Sequence, residues 1–314
     1  MRVPSRWQAD VPLARLTTWR IGGPARFFSR PISTAELRDD LCLARALDLP
    51  FFVIGEGSNL LFPDRGYPGL IVRLAAPRAG RAPVARAATG EAMDGPTAIV
   101  ELAAGSSFSA AARALAAAGW AGLEWAEGIP GTVAGAIVNN AGAYGGDVAQ
   151  VLTEVDLLQA DGQRATWPAT EMRFAYRSSR LKGSEPTRWT LLAARWRLTR
   201  GAHEALLDRM AEIRARRTAR TPTGASCGSV FRNPPGQAAG KLIASAGLAG
   251  TRRGDAQVAT QHANYILNRG AARAEDALAL MCAIRQRVAE EHGLTLEPEV
   301  QLVGFPPGVL DARA

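Results

Sequence analysis

The 314 residues carry 37 Lys plus Arg against 29 Asp plus Glu, a formal charge of +8, and are 47% hydrophobic and 21% charged. This is an ordinary globular balance with room for two or three domains and a large core. The arginines are scattered and no five-residue block is purely basic, so the charge does not argue for a nucleic-acid-binding module, and an anionic small substrate accounts for it equally well. The N-terminus lacks an apolar run of signal-peptide length, and no stretch approaches the roughly 18 apolar residues of a membrane span. Three cysteines (Cys42, Cys227, Cys282) and three histidines (His203, His262, His292) are too few and too dispersed for a disulfide framework or a metal cluster.

In chain order, Thr17–Phe28 reads as two strands joined by Gly22-Gly23-Pro24. A helix follows, opened by a capping box between Ser33 and Glu36. Its apolar face is Leu37, Leu41, Ala44 and Leu47, with Cys42 packed beside that face, and Pro50 ends it. Phe51–Ile54 is a buried strand leading into Gly55-Glu-Gly-Ser-Asn-Leu60. Leu60 stands where a dinucleotide fingerprint requires its third glycine, so a Rossmann turn is not indicated. The alternative is a strand–turn–strand whose loop offers backbone N–H groups and the Ser58 hydroxyl to phosphate. Gly69–Leu74 is the next strand, and residues 75–96 read as a loop.

Ala98–Leu102 is a strand and residues 107–118 an alanine-rich helix with Phe108, Ala112 and Leu115 inward, stopped at Gly119. The stretch from Gly128 to Gly146 then carries glycine at 128, 131, 135, 142, 145 and 146, with small or apolar residues between. Either it is a set of tight turns inside a core, or it is a wall built for close approach of a flat ligand with a pyrophosphate. Asp161-Gly162 marks a hairpin between Val155–Leu158 and Arg164–Trp167. Trp189–Leu198 is a strand. Residues 203–218 form an amphipathic helix with Leu206, Leu207, Met210 and Ile213 inward, and a domain boundary is placed near residue 200. Asn264–Asn268 is a strand, 275–291 a helix stopped by Gly293, and Glu299 begins a final strand.

Three further segments are polar enough to be weighed as sites. Tyr176-Arg-Ser-Ser-Arg180 is either a solvated turn or a site loop. Gly228-Ser-Val-Phe-Arg-Asn-Pro-Pro235 sets a hydroxyl, Arg232 and Asn233 on a backbone stiffened by proline. Gly240-Lys241 lacks the spacing and the hydroxyl residue of a P-loop. Taken singly, Glu299 and His262 are ordinary surface and structural residues.

Together these segments resemble one family, the UDP-N-acetylenolpyruvoylglucosamine reductases, flavoenzymes of peptidoglycan precursor synthesis. The similarity spans nearly the whole chain. It rests on Thr-Trp-Arg-Ile-Gly-Gly (18–23), Gly-Glu-Gly-Ser-Asn-Leu (55–60), Gly-Ile-Pro-Gly-Thr-Val-Ala-Gly and Asn-Ala-Gly-Ala-Tyr-Gly (within 128–145), Tyr-Arg-x-Ser (176–179), Gly-Ser-Val-Phe-Arg-Asn-Pro (228–234) and Glu-Pro-Glu-Val (297–300). The region after Gly228 resembles the shorter branch, which lacks a substrate-clamping tyrosine loop. Two departures from the family pattern are Ala134, where glycine is usual, and Glu127, where a small neutral residue is usual.

The resemblance implies an α+β fold of the vanillyl-alcohol-oxidase (PCMH) type. FAD would be held by two subdomains (1–75 and 76–200) and substrate by a third (201–314). It implies NADPH-dependent reduction of UDP-N-acetylglucosamine enolpyruvate through FAD, with Arg177, Ser229 and Glu299 catalytic. It places FAD against Gly55, Glu56, Gly57, Ser58, Asn59, Leu60, Ile129, Gly131, Thr132, Gly135, Ala136, Asn140, Gly142, Ala143 and Tyr144. Tyr176, Arg232, Asn233 and Lys241 would contact the UDP-sugar. No His or Cys lies in 55–60 or 128–146 to tether a flavin, which argues against the related FAD-dependent alcohol oxidases. The expected setting is the cytoplasm, with no metal, nucleic acid or membrane partner and a monomer as the default.

Overall fold

The computed structural model describes residues 3–74, 86–87, 95–159, 161–182 and 188–311. Its first elements are β1 (Gln8–Pro12), β2 (Pro24–Ser29), α1 (Thr34–Ala46), β3 (Phe51–Ile54), β4 (Leu60–Leu61), β5 (Tyr67–Arg73), β6 (Arg86–Ala87), β7 (Thr97–Ala103), α2 (Phe108–Ala117) and β8 (Trp120–Ala121). There follow α3 (Val133–Val138), β9 (Gly142–Ala143), β10 (Gly146–Asp147), α4 (Val148–Val151), β11 (Leu152–Gln159), β12 (Arg164–Pro168), β13 (Trp189–Arg200) and α5 (His203–Arg220). The last are α6 (Ala239–Ser245), β14 (Arg252–Arg253), β15 (Ala256–Val258), β16 (Ile266–Asn268), α7 (Ala274–His292) and β17 (Gln301–Leu302). Of the loop expected over 75–96, Arg86–Ala87 forms β6 beside β7, and most of the remainder lies outside the described residues.

The chain forms two compact units. One comprises Met1–Trp7, Ser29–Gly55 and Leu70–Arg217, the other Gln8–Phe28, Glu56–Gly69 and Thr218–Ala314. Neither residue 75 nor residue 200 is a break, and packing explains why. Leu206 and Met210 of α5 are buried in the core of the first unit, while Trp19, Ile21 and Leu61 are buried in the core of the second. An apolar face follows the core that covers it, whatever its place in sequence.

In the first unit, β12, β11, β13, β7 and β6 lie in that order in an antiparallel sheet, with β8 also on β13. The hairpin signalled by Asp161-Gly162 joins β11 to β12, with Leu158 opposite Arg164 and Gly162 at φ +85°. Under the sheet sits α2, where alanines allow close approach and Phe108 meets Trp125 and Trp196 at ring separations of 5.6 Å. β3 pairs in parallel with β5 through Phe51–Leu70 to Ile54–Arg73. Asp40 is fully buried and accepts from Arg6, Trp7 and Ser29, fixing the N-terminal segment to α1.

In the second unit, α7 packs Ala277, Leu280, Met281, Ile284 and Val288 inward, and Gly293 ends it in the left-handed region at φ +65°. Asp64 accepts the N–H groups of Ala274 and Glu275 at 2.9 and 3.2 Å, capping that helix from a residue far away in sequence.

Several expectations need correction. β2 pairs with β1, whereas Thr17–Gly23 is irregular: Trp19 and Ile21 fill the core from turns, and Asn268 holds the Trp19 carbonyl at 3.1 Å. Ser33 accepts from the Glu36 N–H as expected, but the Glu36 carboxylate turns to the Ile32 N–H at 2.9 Å, closing the cap one residue earlier. Cys42 is exposed, because it falls between the buried positions Leu41 and Ala44. Leu207 is 41% exposed, since Leu206, Met210 and Ile213 already complete the stripe of α5. The final strand begins at Gln301, two residues beyond Glu299.

Candidate functional site

The glycine-rich segment folds around a helix that its composition hid. Thr132 caps α3, its hydroxyl accepting the Gly135 N–H at 3.2 Å. The N–H groups of Gly128, Ile129, Val133, Ala134, Gly135 and Ala136 all have partners within the chain. The segment is therefore not an open row of amides. What it offers is shape. A Cβ on Gly135 would meet only the Thr132 hydroxyl, at 3.6 Å, and a Cβ on Gly145 nothing within 4 Å. Gly55 is different, because a Cβ there would overlap the Thr132 side chain. Ser106, whose carbonyl accepts the Val133 N–H, has a buried hydroxyl without a hydrogen-bond partner. Open space beside small residues and an unpartnered buried hydroxyl suit a flat cofactor with polar edges. Ala136 faces the core at 5% exposure.

Arg177 sits in a tight turn on the same unit. Ala175 and Ser178 exchange both backbone hydrogen bonds, at 3.0 and 3.1 Å, leaving Tyr176 and Arg177 at the tip. Arg177 has φ +54° in the third position of this turn, where glycine is preferred. A non-glycine residue there costs on the order of 1–3 kcal/mol and persists only when its surroundings fix it. The fixing groups come from the glycine-rich segment and from the turn's own neighbours. Arg177 donates from Nη2 to the Gly142 carbonyl at 2.9 Å, and its guanidinium lies 5.2 Å from the Tyr176 ring centre. Asn140 donates to the Ala175 carbonyl, and Lys182 to the Arg177 carbonyl, both at 3.0 Å. Asn140 and Tyr144 are themselves left-handed, at φ +42° and +52°. The first unit thus brings together Asn140, Gly142, Tyr176 and Arg177.

Glu127 is 2% exposed and ion-paired to Arg214 at 2.9 Å and Arg113 at 3.2 Å. A buried carboxylate needs such partners. They arrive from α2 and α5.

The second unit assembles another group. Val230 lies between Asn264 and Glu299: its N–H reaches the Asn264 carbonyl and its carbonyl takes the Glu299 N–H, both at 2.8 Å. Asn264, 2% exposed, also bonds both backbone groups of Phe231, at 2.9 and 2.8 Å. Ser229 precedes this splinted stretch and follows Gly228 at φ +81°, where a Cβ would meet nothing within 4 Å. Asn59 donates to the Glu299 carbonyl at 3.1 Å, and β4 pairs in parallel with β17 through Leu60–Gln301. Gly57 is packed so closely on Leu16 that a Cβ would overlap its carbonyl, and its own carbonyl accepts the Thr18 N–H at 3.2 Å. Thr18 in turn donates to the Ser226 carbonyl. Burial, reinforced by the Glu299 carboxylate, pushes the Cys227 thiol well up, so it stays a thiol.

The expected UDP-sugar contacts fare unequally. Tyr176 is 53% exposed and Lys241 is exposed on α6. Arg232 pairs with Glu297 at 3.2 Å, and Asn233 accepts the Ala239 N–H at 3.0 Å, so both side chains have structural partners. Asn264, Ser179 and Asp64 are given no role by the sequence, yet each fixes a loop of the site or its unit. The signal for Asn264 was available: a polar amide inside an apolar run must find partners when buried.

Two family models match the chain: "FAD binding domain" over residues 25–166 and "UDP-N-acetylenolpyruvoylglucosamine reductase, C-terminal domain" over 220–303. The chain is similar to the UDP-N-acetylenolpyruvoylglucosamine reductases of Chloroflexus aggregans, 45% identical with 96% of this chain and 99% of that one covered, and of Rubrobacter xylanophilus, 42% identical with 95% of each covered. It superposes on the crystal structure of that reductase from Thermus caldophilus with a TM-score of 0.77 at 35% identity, covering 96% of this chain and 99% of the other.

Proposed function

The chain belongs to the UDP-N-acetylenolpyruvoylglucosamine reductase family, and on that premise we propose that Arg177, Ser229 and Glu299 carry its chemistry. It is an FAD-containing oxidoreductase that uses NADPH to reduce UDP-N-acetylglucosamine enolpyruvate to UDP-N-acetylmuramate. FAD, when bound, supplies the hydride that reaches the terminal carbon of the enolpyruvyl double bond. Negative charge then develops toward the substrate carboxylate. Arg177 is a fixed cation suited to stabilise it, and exclusion of water strengthens that effect. Ser229 gives the proton that the neighbouring carbon needs, and Glu299 polarises the same group. The observation that carries this reading is the strained backbone of Arg177, tied down on the glycine-rich segment that the FAD-binding domain includes.

The cofactor set is 55–60, Ile129, Gly131, Thr132, Gly135, Ala136, Asn140 and Gly142–Tyr144. The Thr132 hydroxyl and the amides of Asn59 and Asn140 already have protein partners, so these three contribute shape and backbone. Tyr176, Arg232, Asn233 and Lys241 meet the UDP-sugar, Arg232 and Asn233 from the 228–235 loop that their own partners Glu297 and Ala239 hold. Among the described residues no helix is long and apolar enough to cross a membrane. The reading sets the reaction in the cytoplasm, as a step toward wall growth and cell division.

The test is NADPH oxidation by the FAD-loaded protein with the enolpyruvyl UDP-sugar as acceptor. Turnover that depends on this acceptor supports the reading. A protein that takes up no FAD, or that oxidises alcohols and ignores the enolpyruvyl ether, ends it.

A further inference from the structure

The turn around Arg177 is held by more than its own two backbone hydrogen bonds. Immediately after it, Ser179 is 4% exposed and donates to the Val138 carbonyl at 2.8 Å, while its oxygen accepts the Leu181 N–H at 3.3 Å. Immediately before it, the Ala175 carbonyl accepts from Asn140, a residue 7% exposed whose Oδ1 accepts the Ala149 N–H at 3.2 Å. Both ends of the turn are thus sewn to residues 138–140 by buried side chains. The tip is tied to Gly142 by Arg177 itself.

An exposed turn with an arginine at positive φ relaxes to extended backbone unless both ends are fixed. A buried hydroxyl and a buried amide at those two ends supply the constraint. We propose that Ser179 and Asn140 are positioning residues that set the aim of Arg177 by clamping the 175–178 turn to the 138–142 segment. The proposal rests on the reading of Arg177 as the cation that meets the substrate carboxylate. Neither residue touches the reacting atoms in this role. Each acts through the placement of one guanidinium.

The experiment compares FAD-loaded Ser179→Ala, Ser179→Thr, Asn140→Asp, Arg177→Ala and the double variant Ser179→Ala with Arg177→Ala by anaerobic stopped-flow. Flavin reduction by NADPH and flavin reoxidation by the enolpyruvyl substrate are read separately, per bound flavin. Asn140→Asp is isosteric and keeps the acceptor for Ala149, but it turns the donor to Ala175 into a carboxylate oxygen facing that carbonyl, so it breaks this end of the clamp and serves if Ser179→Ala does not fold. The expected result in Ser179→Ala is unchanged reduction with reoxidation slowed by about 10²-fold, the loss that an ångström of misplacement brings, and in Asn140→Asp a loss that falls far more heavily on reoxidation than on reduction. Ser179→Thr, which keeps the hydroxyl, recovers most of that loss. In the Arg177→Ala background Ser179→Ala adds nothing, because the group it positions is gone. With Arg177→Ala slow, three results overturn the positioning role: full additivity in the double variant, equal slowing of both half-reactions, or wild-type reoxidation in Ser179→Ala and Asn140→Asp. Wild-type reoxidation in Arg177→Ala is a separate outcome. It removes Arg177 from the mechanism and leaves the clamp nothing to position.

Discussion

The side-chain amide of Asn59 donates to the backbone carbonyl of Glu299 at 3.1 Å, and the Asn59 carbonyl accepts the Gln301 N–H at 3.0 Å. A residue in the loop expected to face cofactor therefore also fixes the backbone of the carboxylate proposed to act on substrate. Asn59→Ala removes the first of these bonds and should cost about 1 kcal/mol of stability. Its kinetic effect should fall more heavily on reoxidation by the enolpyruvyl substrate than on reduction by NADPH. Stopped-flow traces in which both half-reactions change by one factor would show that Asn59 acts through flavin or fold alone.

Ser229→Ala should separate the half-reactions. The hydroxyl is needed only after hydride has reached the substrate, so reduction by NADPH stays near normal and reoxidation slows by about 10²–10⁴-fold, the usual range for a positioned proton donor. Ser229→Cys should recover part of the loss, because a thiol is the stronger acid. The backbone after Ser229 is already splinted by Asn264 and Glu299, so alanine leaves the loop in place. Wild-type reoxidation in Ser229→Ala would move the proton source to Glu299.

Tyr67 packs edge-on against Phe62, and burial pushes its phenol up to about 12. An ultraviolet pH titration of the folded protein should therefore show a late phenol step near pH 12 that Tyr67→Phe removes. The linkage has a definite sign. The folded state holds this proton more tightly than the unfolded chain does, so its contribution to stability is present below pH 10 and is lost as pH rises toward 12. Tyr67→Phe should flatten that part of the alkaline unfolding curve. A variant with an unchanged curve would put the effect elsewhere.

The long periodic elements were legible because burial dictates their sequence. The α7 stripe from Ala277 to Val288, the α2 positions Phe108, Ala112 and Leu115, and the 161–162 hairpin all follow from local pattern. The site was legible in its loops but not in its wiring. Hydrogen bonds such as Asn140–Ala175 and Asn264–Phe231 join residues that no periodicity relates. Helix α3 was hidden because glycine and β-branched residues argue against helix, and it is stabilised by the Thr132 cap and by burial of Val133 and Ile137. The unit division was illegible for the same reason: Trp19, Ile21 and Leu61 belong to a core whose other buried members lie beyond residue 226.

The Glu127 pairing predicts strong non-additivity. Arg113 and Arg214 are 47% and 59% exposed, so removing the carboxylate returns two arginines to water, and Glu127→Ala should cost about 1–3 kcal/mol. Arg113→Ala or Arg214→Ala alone leaves the carboxylate one partner, with a modest loss. Removing both strands a buried charge, which costs about 3–5 kcal/mol. Denaturant unfolding of the four variants measures this. A double variant no worse than the sum of small single effects would show that Glu127 reaches water when unpaired.

Glycine at 135 separates what the fold needs from what the cofactor needs. The residue lies inside α3, and its absent Cβ leaves an ordinary 3.6 Å distance to the Thr132 hydroxyl. Gly135→Ala should thus be accepted by the protein itself and should gain about 0.5–1 kcal/mol from helix propensity. Its cost should appear only when FAD is added, because the new methyl group occupies the open side of the segment; Gly135→Val, larger and β-branched, should abolish binding. Gly55→Ala is the control, since its Cβ overlaps the Thr132 side chain and should destabilise the protein before any cofactor is present. The measurements are thermal unfolding without FAD and flavin affinity by fluorescence quenching. Tight flavin binding by both Gly135→Ala and Gly135→Val would show that the glycine serves the turn alone and that the cofactor lies elsewhere on the segment.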